Sequence, residues 1–253
     1  MDIGKTRTMK LFVSVAIIIV AITVAFAYVL SEKDKAELTN SASGYKDFFD
    51  IAAAEHGRYN PQRLILSNIH EDALHAVAES TGGTYRMAEV GDTGVLYLPD
   101  GMTIAQLKDV DGAAELLKNA YLDYYAKPAS GVRAVDVSGT VESLNCRRTM
   151  STETGSGVTI AVIDTGIDVN GTAFSGRISE KSYNVTQDKM VSTAGKAVIQ
   201  DKDGHGTYVS GILAASADSD APGIAPEAKL LVIRCEMNDQ GELNTSDLVL
   251  GLA

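Results

Sequence analysis

The chain has 253 residues, with 22 Lys or Arg against 33 Asp or Glu, and its formal net charge is −11 at pH 7. Because the basic residues form no cluster beyond the extreme N-terminus, this acidic chain is not expected to bind nucleic acid. Its two cysteines, Cys146 and Cys235, are too few for a zinc site or a disulfide framework, so they form either one bridge or two free thiols.

The first 30 residues carry an export or anchoring signal. Three basic residues, Lys5, Arg7 and Lys10, precede an apolar run over residues 11–30 that is long enough to cross a membrane as one helix. Such flanking charges hold the N-terminus in the cytoplasm and place the body of the protein outside it. An uncleaved anchor is favoured because the apolar run continues past Ala27. Cleavage of a signal peptide near Ala27, followed by secretion, is the alternative.

The next segments predict a linker and then a small α+β domain. Residues 31–60 are polar and are interpreted as a linker with one short helix near Tyr45–Glu55. Residues 61–150 alternate between strand and helix patterns. The predicted elements are a strand at Arg63–Ser67, a helix at Glu71–Ser80, a β-hairpin around Gly91–Gly94, helices at Thr103–Val110 and Ala113–Tyr125, and a strand near residues 132–137. The histidines His56, His70 and His75 lack metal-ligand spacing and are interpreted as surface residues.

Residues 151–253 begin with a predicted buried strand of a parallel sheet. The run Val158–Ile163 is apolar and β-branched, and glycine precedes it. The strand leads directly into Asp164, and Thr165-Gly166 then turns the chain. This order places the carboxylate at the carboxyl edge of a sheet, where open α/β folds place their functional sites.

Two later blocks add a histidine and a second strand. The block Asp-Gly-His-Gly-Thr at 203–207 sets His205 between glycines at the start of a small-residue helix, and Gly223–Ile233 supplies a turn and a buried strand. The three ordered blocks resemble the subtilisin-like serine proteases (subtilases). The resemblance covers residues 155–253 and implies an α/β fold with a parallel-sheet catalytic domain at 151–253. It implies that Asp164 and His205 belong to an Asp-His-Ser triad that cleaves polypeptide substrates.

The resemblance has further implications for the rest of the chain. Residues 61–150 stand where the family carries a propeptide, a domain that chaperones and then inhibits its own protease. The family's nucleophilic serine and oxyanion-hole segments are absent from these 253 residues, so the catalytic domain is predicted to be incomplete at its C-terminus and the chain as given inactive. Apolar residues such as Val232 and Ile233 are then expected to be partly exposed. Calcium sites are common in the family, but no carboxylate cluster assigns one here, and no other cofactor is assigned.

Two alternatives use the same residues differently. Asp-Thr-Gly occurs at 92–94 and at 164–166, and this tripeptide also marks aspartic proteases, which need two carboxylates that share a proton. That pairing is disfavoured because Asp92 is predicted at a hairpin tip and the histidine block stays unexplained. The main alternative is a non-enzymatic function, in which a membrane-anchored protein binds a protease or a peptide through residues 61–150.

Overall fold

The computed structural model describes residues 45–127 and 153–253, with side chains from residue 48 onward. The chain divides into two compact units, Met1–Ile51 and Ala52–Ala253. The described residues of the first unit, 45–51, form the start of helix α1 (Tyr45–Ala54), which matches the short helix predicted there. The membrane segment predicted at 11–30 and the strand predicted near 132–137 lie outside the described residues. Within those residues, no helix is long and apolar enough to cross a membrane.

The second unit contains two β-sheets with helices packed against them. After α1, its elements are β1 (Tyr59–Ser67), α2 (Glu71–Thr81), β2 (Thr84–Met87), β3 (Thr93–Tyr97), a 3-10 helix (Ile104–Asp109), α3 (Ala113–Leu116), a 3-10 turn (Leu117–Asn119), β4 (Ala120–Ala126), β5 (Thr159–Asp164), a 3-10 turn (Thr172–Phe174), β6 (Tyr183–Asn184), β7 (Lys189–Met190), α4 (Val191–Ala194), a 3-10 helix (Lys196–Ile199), α5 (His205–Ala214), β8 (Lys229–Arg234), β9 (Leu243–Asn244) and α6 (Thr245–Leu252).

The first sheet is antiparallel, with the strand order β2-β3-β1-β4-β9. Leu64 of β1 pairs with Leu96 of β3 on one side and with Leu122 of β4 on the other, and all three side chains are buried. Helix α2 packs on this sheet through Leu74. A methyl group at Gly94 would lie 2.6 Å from Leu74 Cδ2, so the glycine allows this close approach. The hairpin predicted around Gly91–Gly94 is confirmed as β2 and β3.

The prediction of one helix at Ala113–Tyr125 is wrong. Only Ala113–Leu116 is α-helical, and the chain then forms a 3-10 turn and strand β4. β4 is rich in tyrosine, a residue that favours strands, and it pairs along β1 with Leu122 buried in the core. The segment predicted as a helix at Thr103–Val110 is a 3-10 helix.

The second sheet contains the parallel strands predicted from the sequence. Its order is β5-β8-β6-β7, and β5 runs parallel to β8 with Asp164 opposite Arg234. Val162 and Val232 face α5 and belong to the buried core. The expectation that Val232 would be partly exposed is therefore wrong, since helix α5 covers its face of the sheet. Ile233 points to the opposite face and is half-buried.

The two sheets are joined through β9 and α6. β9 adds to the first sheet by pairing with Tyr125 and Ala126 of β4. At the start of α6, the Asp123 carboxylate accepts the Ser246 backbone N–H at 2.6 Å and its hydroxyl at 2.7 Å. A carboxylate at a helix N-terminus satisfies unpaired N–H groups and interacts favourably with the helix dipole. The end of the chain thus packs directly against the first sheet.

The buried position of Asp123 makes stability depend on pH. Burial raises the pKa of this carboxyl from 3.8 to about 6, although the hydrogen bonds from Ser246 lower it. A raised folded-state pKa contributes stability that is fully present below the unfolded pKa and is lost as pH rises through the folded pKa. We therefore expect the contribution of Asp123 to the free energy of unfolding to fall by about 3 kcal/mol from about pH 4 to above pH 6.

Urea unfolding of the full chain at a series of pH values measures this effect. Asp123→Asn should remove this part of the pH dependence, whereas the matched change at the exposed Asp111 should leave it in place. An equally steep decline in the Asp123→Asn variant would contradict the assignment.

Candidate active site

The candidate site begins at the carboxyl end of β5, where Asp164 is the last residue of the strand. The Asp164 backbone carbonyl accepts the N–H of Cys235, which extends the pairing of β5 with β8. Its side-chain Oδ1 accepts the backbone N–H of Thr165 at 2.7 Å. The strand end and the following turn together hold the carboxylate at the sheet edge.

His205 is the first residue of α5, and the structure brings it to Asp164. Its Nδ1 lies 2.8 Å from Asp164 Oδ1 and 3.0 Å from Oδ2. Because a carboxylate can only accept, this contact places a proton on Nδ1 and leaves Nε2 as the basic nitrogen. The hydrogen bond to Asp164 raises the pKa of His205, burial opposes that rise, and the nearby carboxylate charges add to it.

Two glycines allow the contact between the β5 turn and α5. A methyl group at Gly206 would lie 2.3 Å from the Gly166 carbonyl oxygen and 3.1 Å from Asp164 Oδ1. Gly166 has φ of 121°, and a methyl group there would lie 2.6 Å from the Ile199 carbonyl oxygen. The glycines in Asp-Thr-Gly and His-Gly-Thr are therefore steric requirements of this site.

Asp201 is a half-buried carboxylate that was not predicted as a site residue. Its Oδ1 accepts the Thr165 hydroxyl at 3.0 Å and the backbone N–H groups of Asp203 at 3.0 Å and Gly204 at 2.9 Å. Its Oδ2 accepts the backbone N–H of Thr207 at 2.8 Å and the Thr207 hydroxyl at 2.6 Å. Burial opposes ionisation, but these hydrogen bonds lower the pKa of Asp201. An Asp shortly before a helix start is the signal that could have identified it.

Arg234, at the end of β8, supports the same turn from the other side. This buried side chain donates from Nε to the Thr165 carbonyl at 3.1 Å and from Nη1 to the Val198 carbonyl at 3.1 Å, and it pairs with Glu236 at 2.9 Å. A polar cavity of about 280 Å³ opens beside it, lined in part by Asp203 and Glu236. The cavity therefore adjoins both the histidine loop and the end of β8.

Several other candidate residues do not join this site. Asp92 lies in the turn before β3 of the first sheet and makes no hydrogen bond to Asp164 among the described contacts, so the structure does not form an aspartic-protease pair. His75 packs edge-on against Tyr85 at 5.7 Å. Cys235 is a buried free thiol whose pKa burial raises, and Cys146 lies outside the described residues.

No metal centre is formed in the part of the chain that the structure describes. Residues 45–127 and 153–253 contain no group of three or more His, Cys, Asp or Glu side chains that could hold a metal ion. Over the same residues, His205 Nε2 has no hydrogen-bond partner, while Nδ1 is fully engaged with Asp164. What the described site supplies is thus an oriented imidazole with a free basic nitrogen.

Comparison with known proteins links this stretch to one family of proteases. Residues 155–252 match the model of the peptidase S8, or subtilase, family. An intracellular serine protease of Paenibacillus polymyxa is 33% identical over 113 residues, which covers 44% of this chain and 33% of that protein. The serine protease AprX of Bacillus subtilis is 36% identical over 108 residues, which covers 42% of this chain and 22% of AprX. The chain thus spans a third or less of the length of these curated relatives.

The fold has a related solved structure. Fervidolysin from Fervidobacterium pennivorans, a keratinolytic enzyme related to subtilisin, superposes with a TM-score of 0.56 at 18% sequence identity. The superposition covers 78% of this chain and 34% of fervidolysin. Because it covers more than residues 155–252, the likeness of fold extends into the first sheet.

Proposed function

We propose that residues 153–253 are part of the catalytic domain of a serine-type endopeptidase of the subtilisin-like family. The observation that supports this most directly is the 2.8 Å contact between His205 Nδ1 and Asp164 Oδ1. Both residues lie in the stretch 155–252 that matches the subtilase family. That match supports assignment to the subtilase-type hydrolases, and we infer the catalytic roles of Asp164 and His205 from their geometry.

In the proposed mechanism, Asp164 orients His205 and His205 moves the proton. The carboxylate holds Nδ1–H and so keeps the lone pair on Nε2. Nε2 takes the proton of a serine hydroxyl as that oxygen attacks the peptide carbonyl carbon, and it then returns the proton to the leaving amine nitrogen. Asp164 stays ionised and stabilises the imidazolium that forms. The substrates are polypeptides.

The nucleophile of this mechanism is proposed to lie in a segment that follows Ala253. In the family's chain order the serine comes after the histidine. In the described ranges no serine hydroxyl bonds to His205 Nε2, and no oxyanion donors are assigned. One such donor is worth about 3–4 kcal/mol of transition-state stabilisation. On this proposal, the 253-residue chain alone hydrolyses no peptide bond through a triad.

A fluorophosphonate probe, which labels activated serines, tests the function. We expect no specific labelling of the 253-residue chain, and labelling of the protein extended through its downstream serine block. In the extended protein, His205→Ala should lower peptide hydrolysis by several orders of magnitude, because triad members act as a unit. His75→Ala is the matched control, since His75 packs against Tyr85 outside the site. Activity that survives His205→Ala, or labelling of the short chain that needs His205, would refute the proposal.

We also propose that residues 61–150 act as the propeptide of this protease. The described part, residues 61–127, contacts the catalytic part through β4, along which β9 pairs as an added edge strand of the first sheet. Arg63 reaches the Asp247 carboxylate at 3.2 Å, and Arg86 donates to the Val185 carbonyl at 2.6 Å. An extended strand added to a sheet edge is a recurring way to bind a peptide chain. This docking would hold β9 and the start of α6 against the first sheet.

Inhibition of the mature extended enzyme tests the propeptide function. A polypeptide of residues 31–150, added at micromolar concentration, should slow peptide hydrolysis. The Arg63→Ala, Arg86→Ala double variant should inhibit less, because it lacks both guanidinium contacts. Lys118→Ala, at an exposed position outside this docking, should inhibit like the unchanged sequence. An absence of inhibition by the unchanged polypeptide would contradict the function.

Export of the protein body is a third proposal, and it rests on residues 11–30. We propose that this apolar run anchors the protein in the membrane, with secretion after cleavage near Ala27 as the alternative. Alkaline carbonate washing of membranes from expressing cells should leave the chain in the membrane pellet with its N-terminus intact. A chain without residues 11–30 should remain inside the cell, and recovery of the unaltered chain from the cytosol would exclude both forms of the proposal.

A further inference from the structure

Asp201 has contacts that go beyond ordinary loop stabilisation. It stands four positions before His205, and its carboxylate contacts both segments of the candidate site. One oxygen binds the Thr165 hydroxyl, next to Asp164, and the other binds the N–H and hydroxyl of Thr207, in the first turn of α5. We propose that Asp201 is a positioning residue whose carboxylate holds the Asp164 turn and the His205 helix in one geometry, so that the Asp164–His205 contact is formed before any substrate binds.

The Thr165 hydroxyl is the bridge through which this positioning acts. It donates to Asp201 at 3.0 Å and accepts the backbone N–H of Gly206 at 2.9 Å. Its own backbone N–H binds Asp164 Oδ1 at 2.7 Å. Thr165 is therefore bonded to Asp164 itself and to Gly206, the residue after His205, and it is almost fully buried. A change in the Asp201 carboxylate should be transmitted to the distance between Asp164 and His205.

The chemistry of the contacts calls for a carboxylate at this position. The two oxygens of Asp201 accept five hydrogen bonds and donate none. An asparagine side chain has one acceptor oxygen and an NH2 group, so it would turn donor hydrogens against either Thr207 or the N–H groups of Asp203 and Gly204. In either orientation, backbone N–H groups at or just before the first turn of α5 lose their acceptor, so asparagine should open the start of this helix.

Several charged groups lie near the His205 imidazole. Asp164 binds Nδ1 directly, and the charges of Asp203 and Asp201 also favour the protonated ring. Lys202 lies between those two acids in the loop, and Arg234 holds the Thr165 carbonyl on the β8 side. Asp203 is exposed and accepts one bond, from the His205 backbone N–H at 3.2 Å. Asp203 therefore carries the same charge as Asp201 and also lies close to His205, but its side chain does not bond to Thr165 or Thr207.

NMR spectroscopy of the full chain with isotope-labelled histidine tests the proposal without a measurement of catalysis. The measurements are the titration of His205, the low-field signal of its Nδ1 proton, and amide exchange at Gly206 and Thr207. In Asp201→Asn we expect a lower His205 pKa, loss of the Nδ1 proton signal, and amide exchange faster by about tenfold or more. In Asp203→Asn, which also removes one negative charge, we expect a small decrease of the pKa with the Nδ1 signal and the amide protection retained.

The result that overturns the proposal is an Asp201→Asn chain that keeps the Nδ1 signal and the amide protection of the parent. If β5 also loses its protection from amide exchange in Asp201→Asn, that variant is unfolded. The Thr165→Val variant then tests the proposal instead. That change removes only the bridging hydroxyl, and it should also weaken the Nδ1 signal and the protection of Gly206. Parent-like behaviour of Thr165→Val in that case overturns the proposal as well.

The inference rests on the proposed function, because positioning matters only if the pair is catalytic. The two can fail separately. A missing serine-probe reaction in the extended protein would reject the function and leave the NMR result unchanged. Parent-like NMR behaviour would reject the role of Asp201 and leave the probe reaction unchanged.

Discussion

The backbone contact between the turn after β5 and the first turn of α5 is the constraint on which the site depends. A methyl group at Gly206 would come within 2.3 Å of the Gly166 carbonyl oxygen, and interpenetration of that size cannot be relieved by a side-chain rotation. Only with glycine at this position can helix α5 start close enough for His205 to reach Asp164. The close approach of these two backbone segments is therefore a precondition for the side-chain contact between His205 and Asp164.

Charged groups then hold the backbone around this contact. Burying an ion costs its hydration, a cost that only hydrogen bonds in the protein offset. Arg234 meets this requirement with two backbone carbonyls and Glu236, and Asp201 meets it with five donors. Most of these partners lie on the turn after β5, on the 3-10 helix Lys196–Ile199 and at the start of α5. The ions therefore link segments that are separate along the chain.

The first sheet is completed by β9, a strand from a distant part of the chain. β9 follows β4 by more than a hundred residues, yet the two pair at Tyr125–Asn244 and Ala126–Leu243. Asp123 then binds the first turn of α6, and Lys127 lies 3.4 Å from Glu242. The conformational cost of closing so long a loop is met by backbone pairing and charged contacts together. This arrangement places β9, a strand from the second half of the chain, along the end of β4 at the edge of the first sheet.

The sequence by itself determined the elements whose signals are local. Strand periodicity and tight turns depend on neighbouring residues, so local sequence predicts them. It predicted the strand at Val158–Ile163, the hairpin turn at Gly91–Gly94 and the helix start at His205. Tertiary structure decided the rest. Ala120–Ala126 forms a strand because it pairs with β1, although the local pattern predicted a helix up to Tyr125. Asp201 became part of the site because its acceptors meet donors on two separate elements, and no local pattern records which donors a fold will bring together.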